Sequence, residues 1–241
     1  MSDERSGRDA GARQLPLALR YPPDQRLETF VAAPAGSLAQ LRELARPAGG
    51  GAIYLQGAEG VGKTHLALAA CAAAETSGSR AAYLPLQAAR GRLADALHAL
   101  EGNALAALDG LDAIAGDRAD EVALFDFHNR ARSAGIALLY TAHVAPAQLP
   151  LALPDLRSRL SQCARIVLDP LDDAGRRDVL RERAQRRGLV VDEAAYDWLL
   201  RRVGRDLAGL TSLLDRLDRA SLAAKRRITV PFLRELLDPA R

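Results

Sequence analysis

Residues 57–64, with the sequence GAEGVGKT, have the spacing of a loop that binds phosphate. They fit the pattern G-x-x-x-x-G-K-[ST] at every specified position. Glycines let backbone N–H groups approach a phosphate closely, and the N-terminus of a following helix attracts anions through its dipole. The residues expected to bind the phosphates of ADP or ATP are Gly57, Gly60, Gly62, Lys63 and Thr64. Of these, Lys63 would reach the β- and γ-phosphates and Thr64 would bind Mg²⁺.

The residues on either side of this loop predict the local structure that such a site needs. Residues 52–56 are a short apolar run that is typical of a buried parallel strand, and residues 65–75 are rich in Ala and Leu, as a helix would be. The alternative is a glycine-rich turn between a strand and a helix that binds no ligand. The Lys-Thr pair after the last glycine favours the phosphate site over that turn.

Further candidate residues lie at the ends of two other apolar runs. Asp109 follows residues 104–108, and a carboxylate at the C-terminal end of a strand beside a phosphate loop is where the Mg²⁺ of a nucleotide is held. We therefore expect Asp109 to bind this ion, although Asp109 and Gly110 also form a dipeptide that is typical of a turn. Thr141 or His143, at the end of the second run, could sense a γ-phosphate, and Thr141 is the preferred candidate.

The residue after Asp109 predicts weak hydrolysis. ATPases of this kind usually have a second carboxylate at this position to orient or deprotonate the attacking water, and Gly110 can do neither. Asp112 follows two residues later, but the sequence does not show whether its carboxylate has the geometry needed to take over this role. Loss of a group that orients water costs on the order of 10²- to 10⁴-fold in rate. We therefore expect a nucleotide-binding protein with a weak ATPase activity at most, and not an autonomous enzyme.

The remaining apolar runs predict the sheet that surrounds this site. Further strands are expected at residues 81–86, 137–142 and 165–168, and helices at residues 90–100 and 118–132. Five strands that alternate with helices after a phosphate loop predict an α/β fold. Its sheet would be parallel, with the binding site at the C-terminal ends of the strands.

The C-terminal part of the chain has a helical pattern and no predicted strand. Helices are expected at residues 172–187, 192–203, 206–224 and 230–237, the first three beginning at an Asp suited to an N-cap. We therefore expect three parts: a flexible tail at residues 1–20, a nucleotide-binding base domain at residues 21–170 and a small helical lid domain at residues 171–241.

Residues 14–19, with the sequence QLPLAL, form an apolar hexapeptide behind a charged tail. The proline within it and the prolines that follow exclude a helix. Leucines at alternating positions of an extended segment are costly to leave in water, so they either pack on the protein's own surface or enter a groove of a partner. The residues alone favour packing on the protein's own surface and leave the second alternative open.

The composition limits the partners and the cellular compartment that we expect for this protein. A net charge of +3 permits contact with nucleic acid without indicating it. The chain has two cysteines, and they do not have the spacing of metal ligands. We expect them to be reduced thiols in a reducing compartment. No run of about 18 apolar residues is present, and the N-terminus has no apolar core of a signal peptide. We therefore expect a cytoplasmic protein with no membrane partner.

Several segments together resemble the AAA+ ATPases of the DnaA/helicase-loader clade. Residues 109–117 (DGLDAIAGD) resemble the Walker B segment of that clade, and residues 153–160 (LPDLRSRL) resemble its box VII segment. Residues 204–207 (GRDL) are similar to the start of its sensor 2 helix, and residues 214–221 (LDRLDRAS) to the lid stretch that follows. Within the clade the sequence most closely resembles the Hda proteins, DnaA homologues that inactivate the replication initiator. The hexapeptide at residues 14–19 resembles their clamp-binding motif.

This resemblance implies a site and partners beyond those that the residues alone predict. Arg159 would be an arginine finger that acts on a neighbour's nucleotide, and Arg205 would be the sensor 2 arginine that contacts the protein's own nucleotide. The alternative for both is an ordinary arginine on a helix surface. The implied partners are DnaA and the sliding clamp, the beta subunit of DNA polymerase III, with DNA reached indirectly through the clamp. The residues that would bind the clamp are Gln14, Leu15, Leu17 and Leu19.

The resemblance therefore predicts a negative regulator of replication initiation that promotes hydrolysis of ATP bound to DnaA. Two alternatives stay open, and so does homo-oligomerisation. One is a helicase loader or transposition helper that turns over ATP itself and binds single-stranded DNA, against which Gly110 and the low aromatic content argue. The other is a nucleotide-binding structural module whose hexapeptide packs on its own domain.

Overall fold

The fold is built on one parallel sheet. The computed structural model describes residues 25–31, 33–202, 213, 216–217 and 227–237. The sheet has five strands in the order β2-β3-β4-β1-β5. These strands are β1 (Ala52–Gly57), β2 (Ala81–Pro85), β3 (Leu105–Asp109), β4 (Ala137–Ala142) and β5 (Ala164–Leu168).

Burial explains why the central strands are almost continuously apolar. Every residue of β4 is buried, since helices cover both faces of a parallel sheet. The register places Tyr54 of β1 opposite Tyr140 of β4, and Leu55 opposite Thr141. The carboxyl ends of β1, β3 and β4 therefore meet at one edge, which is where open α/β sheets bind ligands.

Helices pack on both faces of this sheet. They are α1 (Ser37–Leu44), α2 (Lys63–Thr76), α3 (Leu86–Ala89), α4 (Leu93–His98), α5 (Arg118–Ser133) and α6 (Pro154–Ser161). The buried residues of α1 and α2 share one apolar cluster with Leu55 and Leu139, whereas those of α3 to α6 share another with Tyr54 and Tyr140. Since neighbouring residues of a strand point to opposite faces, the two clusters lie on opposite sides of the sheet.

Three short 3-10 helices complete this part of the described chain: Leu27–Thr29, Leu111–Ala113 and Pro146–Gln148. The first contributes Leu27 to the cluster of α1 and α2, and the second contributes Leu111 to the opposite cluster. The second also directly follows β3, so it lies at the edge of the sheet where the candidate site is expected.

The C-terminal helices have an apolar core of their own. They are α7 (Asp173–Arg186), α8 (Glu193–Arg202) and α9 (Val230–Leu237). Leu180, Tyr196 and Leu233 belong to this core, and an isolated parallel bridge joins Val191 to Ile228. Asp172 caps α7 by accepting a 2.7 Å hydrogen bond from the backbone N–H of Gly175.

The predicted α/β fold with a five-stranded parallel sheet is confirmed. One element differs, because the helix predicted at residues 90–100 is the shorter α4 (Leu93–His98), and a separate helix, α3 (Leu86–Ala89), precedes it where none was predicted. Gly91, with φ of +76°, lies in the turn between them, and a left-handed residue ends a helix. The hexapeptide at residues 14–19, Arg205 and nearly all of the helix predicted at residues 206–224 lie outside the described residues. Among the helices that the structure describes, none has the length and apolar character needed to cross a membrane.

Candidate nucleotide-binding site

The loop at residues 57–64 connects β1 to α2 and has a backbone that requires glycine. Gly62 precedes the first residue of α2 and has φ of +100°, and Gly60 has φ of +78°. A Cβ atom on Gly62 would lie 2.6 Å from the Phe30 ring, and one on Gly57 would lie 2.5 Å from the backbone oxygen of Leu168. The glycines therefore allow both the tight turn and close packing around it.

Lys63 is the first residue of α2 and is 8% exposed. Its Nζ atom donates hydrogen bonds to the backbone oxygens of Gly57 at 2.7 Å and Ala58 at 2.8 Å. Burial lowers the pKa of Lys63, whereas the carboxylates of Asp112 and then Asp109 act in the opposite direction. The ammonium is thus held inside the loop, at the N-terminus of a helix of 14 residues, where backbone N–H groups attract an anion.

Asp109, at the end of β3, joins three side chains from other elements. Its Oδ2 atom accepts hydrogen bonds from the Thr64 hydroxyl at 2.8 Å and from the Tyr83 hydroxyl at 2.7 Å. The Thr141 hydroxyl donates to Oδ1 and itself accepts a 2.8 Å hydrogen bond from the Gly110 N–H. Both carboxylate oxygens are therefore fixed in orientation by hydroxyl donors.

This group of oxygens has the chemistry that Mg²⁺ prefers. Mg²⁺ binds hard oxygen ligands and is usually held by one or two carboxylates together with substrate phosphates. The Thr64 hydroxyl and the Asp109 carboxylate converge within hydrogen-bond distance beside the phosphate loop. The residues present therefore fit a nucleotide-bound magnesium ion.

Tyr83 is a member of this group that the sequence analysis missed. Burial, followed by the charge of Asp109, raises the pKa of Tyr83, so its hydroxyl keeps its proton and acts as a donor. Tyr83 pairs with Ala107 in the β2–β3 register, and Ala107 shares a face of β3 with Asp109. A phenol within an otherwise apolar strand beside Asp109 is the one sequence signal that could have indicated it.

A second carboxylate reaches the same edge of the sheet. Asp112 lies in the 3-10 helix Leu111–Ala113 and accepts hydrogen bonds from the backbone N–H of His143 at 3.0 and 3.3 Å. The His143 Nδ1 atom is 3.4 Å from Asp112 Oδ2. Gly110, with φ of +86°, contributes only backbone between the two acids. The sequence does not define where Asp112 lies relative to the site, and the structure places it beside the end of β4.

The segment before α1 packs against the phosphate loop. The Phe30 ring contacts the His65 ring edge-to-face, with centroids 5.4 Å apart. His65 is buried on α2, and its Nε2 atom lies 3.2 Å from the backbone oxygen of Arg26 and 3.3 Å from the Thr29 hydroxyl. Residues 26–30 therefore cover the start of α2 and bound the candidate site on that side.

The structure does not bring Arg159 to this site. Arg159 lies on α6, whose buried residues Leu156 and Leu160 belong to the cluster on the face of the sheet opposite α2. Its side chain is exposed and forms no ion pair or hydrogen bond with another described residue. Arg157 differs, because its guanidinium donates a 2.7 Å hydrogen bond to the backbone oxygen of Leu151.

Two comparisons show which known proteins this chain resembles. Residues 173–237, which include α7 to α9, match the family model described as "Hda, lid domain". Domain III of the DnaA replication initiation protein of Thermotoga maritima superposes with a TM-score of 0.75 at 20% identity. The match covers 91% of this chain and 98% of that domain. The C-terminal part of the chain is thus similar to the lid domain of Hda, and the chain has the fold of DnaA domain III.

Other solved structures have the same fold. The AMPPCP-bound DnaA of Aquifex aeolicus superposes with a TM-score of 0.66 at 20% identity, over 81% of this chain and 65% of that chain. The RuvB Holliday junction branch migration motor of Thermotoga maritima superposes with a TM-score of 0.61 at 18% identity, over 91% and 72% of the two chains. The resemblance to DnaA and Hda predicted from the sequence is therefore confirmed for the AAA+ fold and for the Hda-type lid.

Proposed function

We propose that this Hda-like protein binds ADP or ATP with Mg²⁺ and is a negative regulator of DNA replication initiation. In this function it docks on the DNA-loaded sliding clamp and promotes hydrolysis of the ATP bound to DnaA. The observation that carries the proposal is the exposed Arg159 on α6, without a partner among the described residues, in a chain with an Hda-type lid.

The nucleotide part of the proposal is supported by the geometry at the end of the sheet. Lys63 and the backbone of the phosphate loop would hold the phosphates, and Thr64 and Asp109 would hold Mg²⁺. A metal ion held there would neutralise the negative charge of the phosphates. Thr141 would orient Asp109 through its hydroxyl, and Arg205 would contact the nucleotide from the lid. Similarity to DnaA with bound AMPPCP agrees with this role.

The protein's own ATPase activity would be weak. Hydrolysis requires a group that orients or deprotonates the attacking water, and position 110 is a glycine. Asp112 is the nearest other carboxylate of the loop, and its oxygens accept hydrogen bonds from the backbone of His143. Bound ATP would therefore be hydrolysed slowly. The bound nucleotide would serve to stabilise the conformation of this protein that contacts its partner.

Arg159 would act on the partner's nucleotide. An arginine finger supplied by a neighbouring subunit stabilises the transition-state charge on the transferred phosphoryl group and accelerates hydrolysis by about 10³- to 10⁵-fold. An arginine for this purpose must be exposed and must not be neutralised by an acid of its own chain. Arg159 meets both conditions within the described residues.

The clamp would bring the two proteins together. The hexapeptide at residues 14–19 would enter a groove of the sliding clamp through Gln14, Leu15, Leu17 and Leu19. Tethering raises the effective concentration of a partner assembled on the same DNA, which increases apparent affinity without a new contact. This step rests on the resemblance of the hexapeptide to the clamp-binding motif of Hda proteins.

The proposal is tested by measuring hydrolysis of DnaA-bound ATP in a reconstituted reaction with the clamp and DNA. At low concentration, we expect the wild-type chain to accelerate hydrolysis only when the clamp is loaded on DNA. A Gln14→Ala/Leu15→Ala variant should lose the acceleration at low concentration and regain part of it at high concentration. A chain that leaves DnaA unaffected, and whose own ATPase activity rises with single-stranded DNA, would overturn the proposal and support a helicase loader.

A further inference from the structure

Glu121 is a buried carboxylate that lies outside the candidate nucleotide site. It is on the first turn of α5 and its side chain is fully buried. Its Oε1 atom accepts hydrogen bonds from the backbone N–H of Gly116 at 2.7 Å and of Ala152 at 3.0 Å. Its Oε2 atom accepts a third from the N–H of Leu153 at 2.7 Å. One side chain thus joins α5 to two separate loops.

The two loops have different positions in the fold. Gly116 ends the segment that begins at Asp109 and includes the 3-10 helix Leu111–Ala113. Ala152 and Leu153 come immediately before α6, and Leu153 is its N-cap without a side-chain cap of its own. Glu121 therefore fixes both the loop that follows the strand of the nucleotide site and the start of the helix that carries Arg159.

The physical strength of this connection follows from burial. A buried carboxylate is costly unless hydrogen bonds compensate it, and hydrogen bonds to an ionised acceptor are about twice as strong as neutral ones. The segment before α6 has a second attachment, since Arg157 donates a hydrogen bond to the backbone oxygen of Leu151. Residues 151–153 are thereby held by side chains on both sides of the turn.

We propose that Glu121 is a positioning residue for the arginine finger. By binding the two N–H groups before α6, Glu121 sets the orientation of that helix on α5, so that Arg159 is presented to a partner's nucleotide in a fixed geometry. Preorganisation matters here because a misplacement of about 1 Å can cost on the order of 10²-fold in rate. This inference rests on the proposed function and names the residue that supports its central group.

The neighbouring residue provides a matched control. Asp120 is also a buried acid on the first turn of α5, at 3% exposure. Its carboxylate accepts hydrogen bonds from the backbone N–H of Gly91 at 2.7 Å and of Leu93 at 3.2 Å, at the start of α4. Asp120 and Glu121 thus have the same burial and the same type of partner, but only Glu121 holds the start of α6.

The test compares Glu121→Gln with Asp120→Asn in the full chain. For each variant, the maximal rate of hydrolysis of DnaA-bound ATP, the concentration that gives half of this rate, the Kd for ATP and the thermal unfolding midpoint are measured. We expect Glu121→Gln to lower the maximal rate on the order of tenfold, with the half-saturating concentration and the Kd for ATP unchanged. Asp120→Asn should keep the maximal rate. Equal losses in the two variants, or full activity of Glu121→Gln, would overturn the inference.

A double variant separates this inference from the proposed function. If Glu121 acts through Arg159, the Glu121→Gln/Arg159→Ala variant should have the same rate as Arg159→Ala alone, whereas independent effects would add. If Arg159→Ala stimulates fully, the proposed function fails. If Arg159→Ala is inactive and Glu121→Gln is fully active, only the role of Glu121 fails.

A second variant keeps the test valid if Glu121→Gln does not fold. Arg157→Gln removes the hydrogen bond to Leu151 from a half-buried side chain and leaves Glu121 in place. We expect a reduced maximal rate with an unchanged Kd for ATP, because the start of α6 loses one of its two attachments. Full activity of this variant would then overturn the proposal that the attachment of residues 151–153 positions Arg159.

Discussion

The Thr64 hydroxyl donates a 2.8 Å hydrogen bond to Asp109, although 45 residues separate them in the chain. Thr64 belongs to the helix after β1, and Asp109 ends β3, with β4 between these two strands. The parallel sheet brings both residues to its carboxyl edge, where a hydroxyl and a carboxylate can share a magnesium ion. The candidate site therefore depends on strand order as much as on motif.

Asp109→Asn should remove the effect of Mg²⁺ on nucleotide binding. The amide keeps the size of the side chain but loses the charge and one of the two acceptor oxygens that bind Thr64 and Thr141. We expect the Kd for ATP in Mg²⁺ to rise to the value that the wild type has in EDTA. Isothermal titration calorimetry with and without Mg²⁺ measures this. A variant that still binds ATP more tightly in Mg²⁺ would show that Asp109 does not hold the ion.

Tyr83→Phe should have a smaller effect of the same kind. It removes only the hydroxyl that donates to Asp109 Oδ2, and loss of such an outer partner lowers metal affinity by about tenfold or more. The matched control is Tyr54→Phe, which removes a 2.8 Å hydrogen bond to the backbone oxygen of Val144. We expect Tyr83→Phe to weaken ATP binding only in Mg²⁺, and Tyr54→Phe to leave this binding unchanged. Equal effects of the two variants would contradict the role of Tyr83.

Gly62→Ala should destabilise the phosphate loop and abolish nucleotide binding. The position has a left-handed backbone with φ of +100°, and a Cβ atom would lie 2.6 Å from the Phe30 ring. Gly78→Ala is the control, because Gly78 has φ of +83° but open space around its Cβ position. The control should lose about 1 kcal/mol of stability from backbone strain alone and should keep its Kd for ATP. Denaturant unfolding and nucleotide titration measure both properties. Normal ATP binding by Gly62→Ala would contradict the account of the loop.

Buried His128 should make the protein less stable in mild acid. Burial, followed by the charges of Arg132 and Arg159, lowers the pKa of His128 from 6.5 to about 4 in the folded chain. The unfolded chain therefore binds an extra proton between these pH values, so stability is full above about pH 6.5 and falls as the pH drops toward 4.

Urea unfolding at pH 7.5 and pH 5 tests this effect. We expect His128→Gln to be less stable than the wild type at pH 7.5, since it disturbs the 2.9 Å hydrogen bond with Tyr140, but to lose less stability on acidification. The exposed His98 offers the control, and His98→Gln should follow the wild type. An unchanged pH dependence in His128→Gln would contradict the assignment.

The sequence predicts the parts of this site that depend on local spacing. The phosphate loop follows from its pattern, and the strand before it and the helix after it lie where the apolar runs indicate. The parallel sheet follows in the same way from apolar strands that alternate with helices. The helix predicted at residues 90–100 was wrong in its bounds, since the left-handed backbone at Gly91 follows the unpredicted α3 and α4 begins only at Leu93.

The residues that the sequence could not identify are those whose partners are distant in the chain. Tyr83 contacts Asp109 because β2 and β3 are neighbours in a particular register. Glu121 looks like an ordinary acid in the first turn of a helix, and only the packing of α6 on α5 shows that it accepts hydrogen bonds from Ala152 and Leu153. A periodic pattern does not encode such contacts, because they depend on which loops meet in three dimensions.

Arg159→Ala removes the proposed arginine finger from an exposed position of α6. Single-turnover hydrolysis of radiolabelled ATP on DnaA would be measured with the clamp-loaded DNA present. The control is Arg165→Ala, which removes an exposed arginine from β5. We expect Arg159→Ala to bind ATP and the clamp normally but to lower the stimulated rate by about 10³-fold, whereas Arg165→Ala should stimulate like the wild type. Full stimulation by Arg159→Ala would contradict the claim that this protein supplies an arginine finger to DnaA.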